Sequence, residues 1–354
     1  MEVPGLGLIR LLLTLTVLVD HSAPLFGRGL LGGELAVQCF FVLSGFYMTM
    51  ILHGTYDGRT WDFYRNRFLR LFPMYWMILL VTVLLSAFLW WHSGGQRAGL
   101  LAAWHDQSPV GFPAWCLVGF SLVFLLLQDW LFFLGADPSD GSLVAVADCR
   151  THPITLHRFL VVGPAWSLGL EMAFYLLVPW IVRFRARITA LLLLAAFALK
   201  LWLGHRGMDY DPWSYRFFPT VFGYFLCGVL AWKLGQRMRL DALPAWSKAL
   251  PWFGLLGAGI FWRPGPAWAS ALYVAGLALA APLVFDLTRN WRWDRRIGDL
   301  SFPLYLCHPL VFAMTPQLWL PLRFLVAVAV AAGLHGTIGA VIERRRADVR
   351  ASGV

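Results

Sequence analysis

An all-α, polytopic bundle of about ten membrane-crossing helices is the fold this sequence predicts, and three observations predict it. Of 354 residues, 59% are hydrophobic and 14% charged, with a mean hydropathy of +0.65, which is more apolar surface than a water-soluble core of this size can hide. The apolar residues fall in blocks of about 17 to 25, the length that crosses a hydrocarbon core of roughly 30 Å. The net charge of +10 lies in short clusters between those blocks, not on one continuous face. Such clusters suit anchoring to lipid at the cytoplasmic surface and argue against nucleic acid as a partner.

In chain order the expected spans are Leu6 to Leu25, Leu35 to Leu52, Leu71 to Trp91, Ala165 to Val182, Ile188 to Leu203, Phe217 to Trp232, Leu250 to Trp262, Ala267 to Leu287, Leu300 to Leu320 and Leu322 to Ile342. The first carries Arg10 and no small-residue cleavage site, so it is expected to be retained rather than removed as a signal peptide. The seventh is short for a span. A further apolar block, Pro113 to Leu134, contains Asp129 and either crosses or lies re-entrant or interfacial. Charge decides between these. With the block not crossing, twenty Lys and Arg residues share one side and eight, Arg28, Arg97 and Arg263 among them, share the other; with it crossing, the split becomes eleven against seventeen. Ten crossings with both termini cytoplasmic follow, with one long outer loop over residues 92–164 and a short cytoplasmic tail over 343–354. The whole chain, 1–354, reads as one membrane domain without internal repeats.

Ionisable groups inside spans are costly and mark functional candidates. Arg10 and His21 stand eleven residues apart in the first span. At about 100° per residue that is close to three turns, so both project from one face about 16 Å apart along the axis. This suits an extended anionic ligand whose reactive end reaches an imidazole; headgroup snorkelling by Arg10 and helix capping by His21 are the plainer alternatives. Phe63 to Tyr75 reads FYRNRFLRLFPMY, with Arg67 and Arg70 facing one way before a span. Guanidinium forks there suit the phosphates of a cofactor or, equally, those of lipid headgroups. Glu171, near the outer end of AWSLGLEMAFYLLVPW, needs a partner and either orients His21, binds an acceptor hydroxyl or glues helices together. His308, in SFPLYLCHPLVF, reads more readily as a packing histidine than as a catalyst.

Taken together, these motifs resemble the acyltransferase 3 family, membrane enzymes that acylate hydroxyls of sugars and other glycosylated or lipid acceptors. Arg10 and His21 match its arginine–histidine signature, and FFVLSGF from Phe40 to Phe46, with Ser44, matches its second-span block. Arg67 and Arg70 followed by Pro73 and Tyr75 match its RxxR region. Trp166, Ser167, Leu168, Glu171, Phe174 and Tyr175 match WSLxxExxFY, and Gly298, Ser301, Tyr305, Leu306 and His308 match a late block. Ala36, Val37 and Gln38, and Met172 and Ala173, depart from the common pattern and bear on acceptor identity.

The resemblance implies an acyl-CoA donor, commonly acetyl-CoA, with its phosphates near Arg10, Arg67 and Arg70. It also implies a carbohydrate or glycolipid acceptor, no metal, and a place in a bacterial inner (plasma) membrane. His21 is then the expected general base, with Glu171 fixing its tautomer, while Ser44, Tyr75, Trp166, Ser167, Tyr305 and His308 line the acceptor site or support it. A transporter or flippase using Arg10, His21 and Glu171 as a pathway is the rival from another class, but paired discontinuous helices, its signature, are not seen. In the outer loop, His105, Asp106, Asp137, Asp140, Asp148 and His152 are expected to be solvated or to shape the acceptor site. Cys116 and Cys149 would pair there if the compartment is oxidising.

Overall fold

The structure, a computed structural model, describes residues 5–22, 30–95, 101, 103–104, 109–262 and 267–351. Arg28, Arg97, His105, Asp106 and Arg263 lie outside the described residues. The fold is mostly helical, with one antiparallel ribbon among the described residues, β1 (Leu134–Ala136) and β2 (Leu143–Ala145). The helices are α1 (Gly7–Asp20), α2 (Gly33–His53), α3 (Thr60–His92), α4 (Phe112–Phe124), α5 (Trp166–Ile181), α6 (Ala186–His205), α7 (Phe218–Gly235), α8 (Ala245–Ile260), α9 (Ala267–Thr288), α10 (Arg292–Asp299), α11 (Ser301–Met314), α12 (Leu320–Leu334) and α13 (Ala340–Ala351).

Seven helical stretches among the described residues are long and apolar enough to cross a membrane: α2, α3, α6, α7, α9, α10 running on into α11, and α12 running on into α13. Each expected span overlaps a helix, but the first leaves its helix after Asp20, with residues 23–25 outside the described residues, and the ninth leaves its helix after Met314. However, α1 with 14 residues and α5 and α8 with 16 each are shorter than a full crossing.

The core forms where small residues let backbones touch. A Cβ on Gly45 would stand 2.0 Å from the Phe225 carbonyl oxygen, and one on Gly228 would stand 1.9 Å from that of Val42. Only glycine fits this crossing of α2 and α7, the closest packing available where lipid removes the usual hydrophobic drive between helices. It fixes α2 at the centre of the bundle, with Ser44 beside the crossing.

α1 has no local cap. Leu6, just before it, is left-handed, and the first amides are taken by distant groups: Thr288 Oγ1 accepts from Leu6 N at 2.9 Å, and the Asp294 carboxylate accepts from Gly7 N at 2.8 Å and Leu8 N at 2.9 Å. A carboxylate at a helix N-terminus satisfies orphan donors and complements the dipole. Gly7 and Gly298 allow the approach, since a Cβ on either would overlap the other helix. α10 is thereby locked onto the start of α1.

From α4 to α5 the chain is tied down rather than loose. α4, with 13 residues, rises about 20 Å, short of a crossing. Its last turn is held by Tyr75, whose hydroxyl donates to the Leu122 carbonyl at 2.9 Å and accepts from Gln128 Nε2 at 3.0 Å. Farther on, the Arg216 guanidinium is sandwiched 4.0 Å from both the Phe132 and Trp166 rings and paired with Asp211. Asp137, Asp140 and Asp148 accept hydrogen bonds from Ser139, Ser142 and Arg150 in local turns, and His152 bonds Ile154. The disulfide expectation is corrected: Cys116 is exposed on α4, Cys149 is buried, and both are free thiols.

Asp129 is 4% exposed, and burial pushes its carboxyl up to about 7. An unfolded Asp ionises near about 4. Between those values the unfolded chain sheds a proton that the folded chain keeps, so stability falls as pH rises through the window. Asp129→Asn is expected to raise the melting temperature near about pH 8 and to leave it unchanged near about pH 4. Equal effects at both pH values in detergent melts would refute this.

Candidate active site

α1 and α11 run side by side in the same direction. Thr14 Oγ1 meets the Ser301 carbonyl at 3.5 Å, and seven residues farther along each helix His21 Nδ1 meets His308 Nε2 at 2.9 Å. Seven residues are close to two turns, about 10.5 Å, so the register set by the first contact delivers the second. The rings stack with centroids 5.1 Å apart, and His308 Nδ1 faces the Tyr305 carbonyl oxygen at 2.9 Å. His308 is fully buried, whereas His21 is exposed at the end of α1.

This chain of contacts fixes protons. A carbonyl only accepts, so His308 Nδ1 carries the hydrogen; in the neutral ring His308 Nε2 is then bare and must accept from His21 Nδ1–H. The remaining nitrogen, His21 Nε2, holds a lone pair. The sequence expectation that Glu171 orients His21 is therefore corrected. Glu171 Oε1 accepts instead from Ser44 Oγ at 2.8 Å and Tyr175 OH at 2.5 Å, joining α2 to α5.

A cavity of about 200 Å³ opens among α1, α2, α3, α5, α10, α11 and α13. Arg10, Arg67, Arg70, Ser44, Ser167, Glu171 and Tyr305 all line it. Three further arginines, Arg295, Arg346 and Arg350, also face it, against three carboxylates, Glu171, Asp299 and Glu343. Six cations against three anions leave the walls with an excess of three positive charges, fit for a polyanion. Arg67 is 6% exposed, and its Nε is buried without a hydrogen-bond partner, while its Nη2 donates to Asn66 Oδ1 at 2.7 Å.

At the far end of the cavity Tyr305 bonds Ser167 Oγ at 2.8 Å and meets Phe40 edge-on at 6.2 Å. The histidine pair sits just beyond this tyrosine, outside the cavity walls. Tyr75 and Trp166 do not line it either; they secure the chain from α4 to α5. Sequence reasoning missed Asn66, Arg295, Arg346 and Arg350. It could have found the tail residues, because Glu343, Arg346 and Arg350 recur at i, i+3 and i+7 on one helix face. Among the described residues no three His, Cys, Asp or Glu side chains converge as a metal site would require.

The acyltransferase 3 family model, described as an acyltransferase domain, matches residues 3–342. No curated protein and no solved structure matches the chain. The family match covers nearly the whole chain and takes in both histidines and all the cavity arginines but Arg346 and Arg350, so the chain belongs to the acyltransferase 3 family and is a membrane acyltransferase.

Proposed function

We propose that this membrane acyltransferase takes an acyl group, commonly acetyl, from acyl-CoA and passes it to a hydroxyl of a carbohydrate or glycolipid. The observation that carries the reading is the arginine-lined cavity that ends at Tyr305 beside the His21–His308 pair. In this reading the chain crosses a bacterial inner membrane ten times with both termini cytoplasmic. Arg10, Arg67 and Arg70 draw the donor's phosphates into the cytoplasmic end, and the pantetheine arm extends along α1. The approximately 16 Å between Arg10 and His21 along the helix axis separates the phosphate end from the reacting end.

His21 acts as general base. As the acceptor oxygen attacks the thioester carbonyl carbon, His21 Nε2 takes the hydroxyl proton. The carbon–sulfur bond then breaks, the thiolate leaves and recovers that proton from the imidazolium, and the products are an ester and free CoA thiol. Charge developing on His21 is shared through its Nδ1–H with His308 and the Tyr305 carbonyl. Glu171, fixed by Ser44 and Tyr175, stands in the cavity wall as a counter-charge to Arg67. The test is to supply purified protein in vesicles with labelled acetyl-CoA and membrane glycans. Alkali-labile label on glycan with stoichiometric release of thiol is expected; transfer from another acyl donor but none from acyl-CoA would overturn the reading.

A further inference from the structure

The arginines of α13 are unexplained by phosphate binding at Arg67 and Arg70 alone. α13 is held in place by its backbone: Arg59 Nη2 donates to the Val349 carbonyl at 3.1 Å, and Asn66 Nδ2 donates to that of Arg346 at 3.3 Å. A cation at a helix C-terminus also complements the dipole. With the helix so fixed, its side chains turn toward the cavity. Arg346 is 6% exposed, and its Nε donates to Asn66 Oδ1 at 3.2 Å, the same oxygen that receives Arg67 Nη2. One fully buried amide oxygen thus orders two guanidinium groups from different helices side by side. Glu343 pairs with Arg346 and reaches Arg350 at 3.8 Å.

Holding like charges together in a buried place is costly unless an anion joins them. The unpartnered Arg67 Nε points to the same demand. Position selects the anion. Along α2 the cavity wall passes Phe40 beside Tyr305, then Ser44, Met48 and Ile51, about 16 Å, before reaching Thr55 and Tyr56 past the helix end. The α13 arginines stand at this end, farthest from Tyr305, where the terminus of the donor opposite the thioester must lie.

We propose, resting on the acyl-CoA reading above, that Arg346 and Arg350 bind the 3′-phosphate monoester of the donor nucleotide, leaving the pyrophosphate to Arg67 and Arg70. A monoester carries about −1.5 to −2 charges near neutrality and offers three acceptor oxygens, enough for two guanidinium forks.

The test compares kcat/KM for acetyl-CoA and 3′-dephospho-acetyl-CoA in the full-length protein, its Arg346→Gln/Arg350→Gln variant, and Arg350→Gln alone, which spares the Asn66 network. The wild type is expected to prefer the 3′-phosphorylated donor by about 10- to 100-fold. The double variant is expected to lose that preference, whatever its turnover of the dephospho-donor, with Arg350→Gln intermediate. A preference that survives in Arg350→Gln and in the double variant overturns the assignment. Equal use of both donors by the wild type also overturns it while leaving the acyl-CoA reading intact. Equal loss toward both donors, restored by phosphatidylglycerol in the vesicles, would instead assign these arginines to a lipid phosphate. Turnover of neither donor by the wild type overturns the acyl-CoA reading and this assignment with it.

Discussion

His21→Ala is expected to reduce kcat by about 10²- to 10⁴-fold, the range contributed by a positioned general base, while leaving KM for the acyl donor nearly unchanged. The split follows from the geometry. Arg10 and His21 share α1, but the N-terminus of that helix is held by Asp294 and Thr288 and its middle by Ser301, so truncating an exposed side chain at its far end does not disturb the donor's phosphate site. His21→Gln is expected to be as inactive as His21→Ala, because an amide keeps a hydrogen-bonding group but offers no basic nitrogen. Steady-state rates in vesicles, normalised to the amount of folded protein, decide the matter. Near-normal turnover in either variant would remove His21 from the chemistry.

The parts of the molecule legible in the sequence are those whose signal is local. Apolar blocks marked the helices because lipid demands uninterrupted runs, and the spacing of Arg10 and His21 follows from the pitch of one helix. α10 was not legible: it is short and basic, and it continues almost directly into α11, so only the apolar part of that stretch was read as a span. Its role is to cap α1 from 286 to 287 residues away, a contact no local pattern encodes. His308 looked like a packing residue for the same reason, since its pairing with His21 depends on the parallel register of α1 and α11. For Glu171 the sequence leaves orienting His21, binding an acceptor and joining helices open, because a carboxylate in a span announces a need for donors without saying which helix brings them; the fold supplies Ser44 from α2. Tyr75 matched a motif near the arginines, yet its hydroxyl reaches the α4 carbonyl of Leu122 on the other side of α3. Arg346 and Arg350 belong, by sequence, to the twenty cations counted on the cytoplasmic side; only the fold turns one face of the tail helix toward the cavity.

His308→Leu is expected to cost nearly as much as loss of His21 itself, on the order of 10²- to 10⁴-fold in kcat, although His308 touches neither donor nor acceptor. Leucine fills similar space but cannot accept a hydrogen bond, so His21 Nδ1 loses the partner that keeps its proton there. The imidazole is then free to place hydrogen on Nε2, the nitrogen that must be bare to receive the acceptor's proton, and the imidazolium formed during attack loses its buried acceptor. His308→Gln separates this role from packing. A glutamine carbonyl oxygen can accept from His21 Nδ1–H while its amide donates toward the Tyr305 carbonyl, the same polarity that His308 provides. The Gln variant is therefore expected to recover most of the activity lost by Leu, with donor KM unchanged in both. A purely structural His308 predicts the opposite order, because the apolar side chain is the better tolerated in a fully buried site. Equal kcat in the two variants, measured on protein of equal thermal stability, would show that the orientation of His21 does not depend on His308.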